Sequence, residues 1–457
     1  MIFINGTDWL VYHTGNSGLS DTTIEAIEID NAGRKWIGTR YGNLAKLENN
    51  AWTIYNTGNS GLPGNAISTI NQDKHGNIWV ATSDGGVARF DGMNWLVYND
   101  KNSGMPHNAA SDIAIDDQGY LWIGTLYNGL VHFDGTNWTV FDSDNSGMPD
   151  NWVGSIVIDS QGNKWIGVYY NCFSTNSGVV KFNGSDWTVY NTMNSELPGE
   201  VIQALALDSH DNLWVGTGNG LARFDGENWV VYSSELPGSY VNAIAIDKHD
   251  VKWIGTNYGL VRYSGSDWTI YNKDNSRLPT DNVSGLEIDN QGNKWIVTYD
   301  GLTKFDNENW TFYHTGNSGM PTNQIDALAA DSLGNIWIGT LLGGLAVYRE
   351  GGVILPGNTV VEQKPETQVP TDFSLLQSYP NPFNNETVIS FSLPEKCFVS
   401  LIIYDMLGRQ IEILYNTTLS SGDYRVKWDA RNYPSGTYLC RLQAGQHSAT
   451  RKLVLEK

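Results

Sequence analysis

Tryptophan recurs in this chain at a nearly constant spacing, and that spacing limits the folds open to it. One series precedes an Ile/Val-Gly/Ala/Val-Thr/Val triplet, at Trp36, Trp79, Trp122, Trp165, Trp214, Trp253, Trp295 and Trp337. A second series lies at Trp9, Trp52, Trp95, Trp138, Trp187, Trp229, Trp268 and Trp310. Members of the first series are separated by 43, 43, 43, 49, 39, 42 and 42 residues. A repeat of this length indicates a propeller or a solenoid.

Each repeat contains four short strand signals separated by turns. In one repeat these are ALALD (204–208), NLWVGT (212–217), GLARFD (220–225) and NWVVY (228–232). The first signal is nearly all apolar, which predicts a strand buried on both faces. Small residues recur inside this first strand, whereas the last strand carries Trp and Tyr. Because sheets that radiate from an axis are crowded at the centre and diverge outward, the gradient favours a propeller.

The two ends of the repeat region complete each other. The last repeat has strand signals at 327–331, 336–340 and 345–348 but no final Trp-x-x-Tyr strand. The segment WLVY at 9–12 is such a strand without a repeat of its own. Pairing the two leaves no sheet edge open at either end. We therefore predict an all-β chain with an eight-bladed β-propeller at 1–349, closed by the N-terminal strand.

The repeated motif reads N-S-G-L-P, then I-D-x-x-G-N-x-W-I-G-T, then G-L-x-x-F-D-G-x-x-W-T-V-Y. It resembles the two-component regulator propeller repeat family across residues 1–349. Propellers of that family often form the periplasmic ligand-sensing part of hybrid sensor kinases, several of which respond to oligosaccharides, so the resemblance implies ligand binding. This sequence has no kinase part and no apolar run of the ~18 residues that a membrane span needs. Direct signalling is therefore not expected.

A different pattern follows residues 350–371, which read as an extended linker with three prolines. Alternating strands with turns every eight to twelve residues predict a small β-sandwich at 372–457. Its motifs resemble the C-terminal sorting domain of type IX secretion, type A: Pro380 to Asn384, Tyr404-Asp405 with Gly408, Trp428-Asp429, Gly436 with Tyr438, and Lys452 to Lys457. The resemblance implies that the type IX machinery exports the chain through residues 372–457, for release or for anchoring at the outer-membrane surface.

The first residues, MIFINGTDW, contain neither the basic nor the apolar segment of an export signal. They align instead with the end of a repeat, as in VKFNGSDW at 180–187. We therefore expect the chain to start downstream of its true N-terminus.

Charge and cysteine usage exclude some partners. The formal net charge is −21, and residues 1–371 hold 19 Lys and Arg against 41 Asp and Glu, compared with 9 against 8 in the remainder. This acidity argues against nucleic acid or an anionic membrane as partner. Cys172, Cys397 and Cys440 match no metal spacing, and Cys397 and Cys440 can pair only if their strands are neighbours. No cofactor and no metal are predicted.

The loops that join the second and third strands, and those that join the blades, should emerge on one face. The repeats differ there, and tyrosines are frequent. Flat rings with a hydroxyl suit sugar or peptide recognition. The candidate ligand-binding residues are Tyr41, Asp84, Tyr127, Trp152, Tyr169, Tyr170, Phe173, Tyr240, Tyr258, Tyr299 and Asp300. The insertion at 169–178 is either a specificity element over the channel mouth or a tolerated surface insertion.

Two carboxylates are candidates for acid–base catalysis. Glu25 and Asp326 occupy equivalent positions in neighbouring blades near the predicted channel mouth, where a pair can divide acid and base roles or hold a cation. Solvated rim residues are the simpler interpretation. The D-x-x-G-N turns lack the alternating carboxylates of a calcium loop and fit tight turns with Asp as acceptor. We predict an exported protein that binds a glycan or a peptide; a lyase- or hydrolase-type enzyme and an adhesive or structural surface protein are the alternatives.

Overall fold

The computed structural model describes residues 9–49, 51–168, 177–350, 353, 362–363, 370, 372–406, 410–419, 421–430 and 433–457. Within these ranges the chain is entirely β, with strands numbered here β1 to β40 in chain order. They form ten four-stranded sheets, eight in the repeat region and two in the C-terminal region. Among the described residues, no helix has the length and apolar character to span a membrane.

Each of the eight sheets in the repeat region is an antiparallel blade with four strands. The first strands are β2 (Ile24–Ile29), β6 (Ile67–Gln72), β10 (Ala110–Ile115), β14 (Val153–Ile158), β18 (Ile202–Leu207), β22 (Val241–Ile246), β26 (Val283–Ile288) and β30 (Ile325–Ala330). The second strands are β3 (Lys35–Thr39), β7 (Ile78–Thr82), β11 (Leu121–Thr125), β15 (Lys164–Val168), β19 (Leu213–Thr217), β23 (Lys252–Thr256), β27 (Lys294–Thr298) and β31 (Ile336–Thr340).

The third strands are β4 (Leu44–Glu48), β8 (Gly86–Phe90), β12 (Leu130–Phe133), β16 (Gly178–Phe182), β20 (Gly220–Phe224), β24 (Gly259–Tyr263), β28 (Gly301–Phe305) and β32 (Gly344–Tyr348). The outer strands are β5 (Ala51–Tyr55), β9 (Trp95–Tyr98), β13 (Trp138–Phe141), β17 (Trp187–Tyr190), β21 (Trp229–Tyr232), β25 (Trp268–Tyr271), β29 (Trp310–Tyr313) and β1 (Trp9–Tyr12). Blades one to seven follow the chain from β2 to β29, and blade eight consists of β30, β31, β32 and β1.

The ring closes as the sequence predicts. Strand β1 pairs with β32, with Trp9 opposite Tyr348 and Tyr12 opposite Leu345. Trp9 is buried against Tyr313 and Tyr348, and a Cβ at Gly319 would lie 2.5 Å from the Trp9 Cβ. First strands of consecutive blades contact one another all the way round, including β30 with β2. The repeat region is therefore an eight-bladed propeller.

Every blade is held by the same hydrogen bond from tryptophan to aspartate. The indole Nε1 of the second-strand tryptophan donates to the Oδ2 of an aspartate six residues earlier, at 2.8–3.3 Å, in all eight blades. The other oxygen of that aspartate accepts backbone N–H groups of its own turn, as Asp208 Oδ1 does from His210 and Asn212 at 3.0 Å. These tryptophans are at most 4% exposed. The predicted Asx-type turn is confirmed, and it also satisfies a buried indole.

Lysines add a second link between some neighbouring blades. Lys35 of blade one places its Nζ 3.1 Å from Asp331 Oδ2 of blade eight and 5.1 Å from the centre of the Trp337 ring. Lys252 of blade six reaches Asp208 and Trp214 of blade five in the same way, at 3.1 Å and 5.2 Å. In both cases the lysine ammonium therefore contacts a tryptophan ring and an aspartate that are hydrogen-bonded to each other within the adjacent blade.

Polar side chains bridge the first strands around the channel. Asn71 Nδ2 donates to the carbonyl of Ile113 at 2.9 Å, and Ser111 Oγ donates to that of Val153 at 2.7 Å. The Asp112 carboxylate accepts the N–H of Ile156 at 2.9 Å, while burial raises its pKa to about 6. The inner edge of each sheet has no strand partner, so these side chains satisfy backbone groups there.

The C-terminal region is a β-sandwich. One sheet has the order β33 (Glu362–Gln363), β38 (Gly422–Asp429), β35 (Glu386–Leu393), β34 (Ser374–Leu375). The other has the order β37 (Gln410–Leu419), β36 (Cys397–Asp405), β39 (Gly436–Ala444), β40 (His447–Leu455). Both sheets contribute to one apolar core, which includes Phe391, Leu401, Trp428 and Leu442.

Two details of this region were left open by the sequence. Strand β33 lies within the segment interpreted as an extended linker, where it pairs with the edge of β38. Cys397 and Cys440 lie on neighbouring strands but are both free, because Cys440 is opposite Ile403 in the register rather than opposite Cys397.

The link between blades eight and one predicts a selective loss of stability. Asp331→Asn keeps an acceptor for Trp337 but leaves the buried Lys35 ammonium without its carboxylate, so the free energy of unfolding in urea should fall by about 3–5 kcal/mol. Asp73→Asn is the matched control, since Leu121 stands where a lysine would reach Asp73. Asp73→Asn should lower the free energy of unfolding by only about 1 kcal/mol. Equal losses would contradict the role given to Lys35.

Two glutamates of the first strands predict a pH dependence. Burial, with a smaller contribution from a nearby aspartate, raises the pKa of Glu28 and of Glu287 to about 7. The folded protein therefore holds these protons more tightly than the unfolded chain, and stability is lost as pH rises from about 4.5 to about 7. Glu28→Gln and Glu287→Gln should raise the Tm more at pH 8 than at pH 5. The exposed Glu308→Gln is the control, and a gain independent of pH would refute the assignment.

Candidate ligand-binding face

Strand register decides which loops share a face of the propeller. The first strand of blade one begins beside the end of the second, with Ile24 opposite Thr39. In blade two the third strand begins beside the end of the outer strand, with Val87 opposite Tyr98. Loops between second and third strands and loops between blades therefore emerge on one face, called here the upper face. The D-x-x-G-N turns lie on the opposite, lower face.

Most of the predicted tyrosines are exposed at the hairpin tips of the upper face. Tyr41, Tyr127, Tyr258 and Tyr299 are 76%, 59%, 59% and 70% exposed. A threonine ends the second strand in seven of the eight blades, and its hydroxyl keeps the hairpin short. Thr256 Oγ1, for example, donates to the Gly259 carbonyl at 2.9 Å and accepts the N–H of Tyr258 at 3.1 Å. The tip is thus ordered by its own backbone while the ring remains in solvent.

An aromatic cluster forms where the loops before and after blade three meet. Tyr127 lies 6.1 Å from Trp152 and 5.5 Å from His107, measured between ring centres. His107 Nδ1 accepts the N–H of Ala109 at 3.0 Å, which fixes the ring orientation. Sequence reasoning missed His107, although it lies in an inter-blade loop of the kind that supplied Trp152.

Tyr240 and Tyr258 have contacts that restrict their rings. Gln203 Nε2 donates to the Tyr240 hydroxyl at 2.9 Å. The Tyr258 ring lies on Gly238, where an added Cβ would come 2.0 Å from Cδ2. Asp84 and Asp300, also predicted, are exposed on the hairpins of blades two and seven. Tyr169, Tyr170, Phe173 and most of the insertion lie outside the described residues.

A groove opens between blades seven and eight. It has a volume of about 260 Å³, and its lining includes Ser284, Thr298, Tyr299, Gln324, Asp326 and Leu341. Tyr299 and Asp326 were predicted from the sequence, whereas Ser284, Gln324 and Leu341 were not. The groove thus brings an aromatic ring, an apolar side chain and a carboxylate together at the channel mouth.

Glu25 and Asp326, predicted as a pair, have different surroundings. Glu25 accepts a hydrogen bond from the Arg40 guanidinium Nε. Asp326 interacts with Glu25 and Arg40 only through their charges; burial and then the Glu25 charge raise its pKa. Because one carboxylate is neutralised by arginine and the other is not, the two are not a symmetric pair.

The lower face holds the one potential metal group found among the described residues. Ligand atoms of Asp208, His210 and Asp250 lie within 4.8 Å of one another. However, Lys252 Nζ lies 3.1 Å from Asp208 and 2.7 Å from Asp250. An ammonium group therefore already occupies the position of a cation.

Three solved structures are similar to this chain at low identity. PorZ, a surface component of the type-IX secretion system of Porphyromonas gingivalis, is 18% identical with a TM-score of 0.49; the match covers 93% of this chain and spans 64% of that protein. The extracellular domain of a putative hybrid two component system from B. thetaiotaomicron is 18% identical, with coverages of 94% and 72% and a TM-score of 0.36. Virginiamycin B lyase from Staphylococcus aureus is 16% identical, with coverages of 63% and 94% and a TM-score of 0.48.

At these values, neither a ligand nor a reaction transfers from those proteins to this chain. No curated protein matches the sequence.

Two sequence families match parts of the chain. Residues 61–84, 104–127, 196–219 and 319–341 match the two component regulator propeller. Residues 377–456 match the secretion system C-terminal sorting domain. A domain of the latter kind directs export, so the protein is secreted or held at the cell surface. The chain therefore carries two component regulator propeller repeats followed by a secretion system C-terminal sorting domain, as its motifs predict.

Proposed function

We propose that this exported propeller is a binding protein whose upper face recognises an oligosaccharide or a peptide. The observation that supports it most is the exposure of hairpin-tip residues around the channel mouth. Tyr41, Tyr258 and Tyr299 expose 59–76% of their surface on adjacent or nearly adjacent blades. Large rings held on short hairpins offer binding area with little loss of conformational freedom.

The groove supports the same function. Its mixed lining resembles binding sites in general, which combine apolar walls with a few polar groups that orient the ligand. It lies beside Tyr299, so a ligand that fills it also touches an exposed ring. No comparable observation favours catalysis. Glu25 accepts a hydrogen bond from Arg40 and is therefore not free to act as an acid or base, and the described residues place no other free acid or base beside Asp326.

The test is a binding screen of the purified full-length chain against a glycan array and a peptide library. Tyr258→Ala and Tyr299→Ala should each weaken binding of the best probe about tenfold, the equivalent of about 1.4 kcal/mol for an aromatic contact. Because both rings are exposed, the Tm should not change.

Tyr120→Ala is the matched control, since Tyr120 is 38% exposed but follows a turn of the lower face. It should bind as the unmodified protein does. Loss of binding in Tyr120→Ala but not in the upper-face variants, or saturable binding of no probe at all, would refute the proposal.

A further inference from the structure

The groove between blades seven and eight contains a carboxylate, Asp326, that has no direct partner among the residues the structure describes. No described residue donates a hydrogen bond to Asp326, and the charges that act on it are Glu25 and Arg40. The guanidinium Nε of Arg40 is committed to Glu25. Asp326 therefore presents an acceptor to whatever enters the groove, and its unpaired charge would attract an incoming cation.

The blades on either side of this groove carry exposed aromatic or aliphatic hairpin tips. On blades six, seven, eight and one the hairpin tips are Tyr258, Tyr299, Leu342 and Tyr41, which are 59%, 70%, 73% and 76% exposed. We call these four residues the apolar ridge. The ridge ends on blade two, where the corresponding residue is Asp84. The four consecutive blades six, seven, eight and one, which lie on both sides of Asp326, thus all carry such a tip.

Leu342 stands out within the ridge. Its φ is +61°, a left-handed conformation that glycine or asparagine adopts more easily than leucine. A strained backbone that exposes a leucine to water stabilises neither the loop nor the core, which points to a role in contacts with another molecule. Leucine packs against aliphatic and aromatic side chains and offers no hydrogen bond to sugar hydroxyls. It therefore favours a peptide over an oligosaccharide.

The size and charge of the site agree with this choice. At about 260 Å³ the groove is smaller than the pockets of about 300–1,000 Å³ that enclose drug-sized ligands, and it suits one long side chain. Residues 1–371 carry 41 acidic against 19 basic side chains, which attracts cationic ligands from a distance.

We propose that the groove binds a lysine or arginine side chain of an extended peptide, which pairs with Asp326 while apolar neighbours on the peptide contact Tyr299 and Leu342. This inference rests on the proposed binding function and narrows its ligand to a basic, partly apolar polypeptide. The ammonium or guanidinium would lie near Asp326, and Ser284 and Gln324 offer further hydrogen-bonding groups at the wall.

The experiment compares blocked peptides of sequence Ala-Leu-X-Leu-Ala, with X as lysine or glutamine, by calorimetry with the full-length chain. The lysine peptide should bind about two- to fivefold more tightly, as an ion pair with the exposed Asp326 carboxylate allows. Asp326→Asn should remove this preference. Asp300→Asn is the matched control, because it removes the same charge from the residue next to Tyr299 outside the groove lining, and it should keep the preference.

Dependence on pH provides a second readout. Since only the ionised carboxylate pairs with a cation, lysine-peptide binding should weaken as pH falls through the raised pKa of Asp326, with Glu25, Arg40 and Tyr299 as the other charged or titratable groups nearby. Asp326→Asn should lose this dependence.

Equal affinity for the two peptides, or equal effects of Asp326→Asn and Asp300→Asn, would overturn the inference. If Tyr299→Ala still weakens binding of the library probe in that case, the general binding function stands and only the basic-peptide assignment fails. Tighter binding of a glucosamine oligomer than of the lysine peptide would likewise overturn the peptide assignment.

Discussion

One hydrogen bond, from a buried indole to an aspartate six residues earlier, sets the geometry on which the propeller depends. It fixes the turn between the first two strands, satisfies the one polar atom of a large core side chain and recurs with the same geometry in every blade. Because blades of equal shape pack at equal angles, eight copies close on themselves. Lys35, which contacts Asp331 and Trp337, and Lys252, which contacts Asp208 and Trp214, extend this interaction across blade boundaries.

The blade count and the closure could be predicted because they follow from spacing. Trp36 and its equivalents mark each second strand. Because Trp9 has no repeat of its own, the sequence alone predicts that β1 pairs with β32. The partner of each indole was not predicted. Sequence reasoning assigned Asp208 and its equivalents to turns alone, since the six-residue offset to Trp214 becomes a contact only when the hairpin folds. Strand β33 was not predicted for a related reason, because two paired residues in a proline-containing segment carry no periodic signal.

The candidate site was predicted by loop position and side-chain chemistry, and that reasoning has a clear limit. It selected Tyr299 from a hairpin loop and Asp326 from its position near the channel mouth, and the structure brings both to one groove. It did not select Leu342, because an exposed leucine is unremarkable in a sequence and its left-handed backbone is visible only in the fold. It also treated Glu25 and Asp326 as alike, whereas Arg40, at the end of the neighbouring strand, distinguishes them. Equivalent positions in a repeat are thus not equivalent sites.

The shared upper face exists only if the ring is closed by its N-terminal strand, and a disulfide cross-link tests this most directly. Val11 is opposite Ala346 in the register of β1 and β32. Val11→Cys with Ala346→Cys should form an intramolecular bond under mild oxidation, seen as a linked peptide by mass spectrometry. Val11→Cys with Ala88→Cys, the corresponding position of blade two, should not. Linkage of Cys at 11 to Cys at 88 instead, or bonds between chains only, would contradict the closed eight-bladed ring.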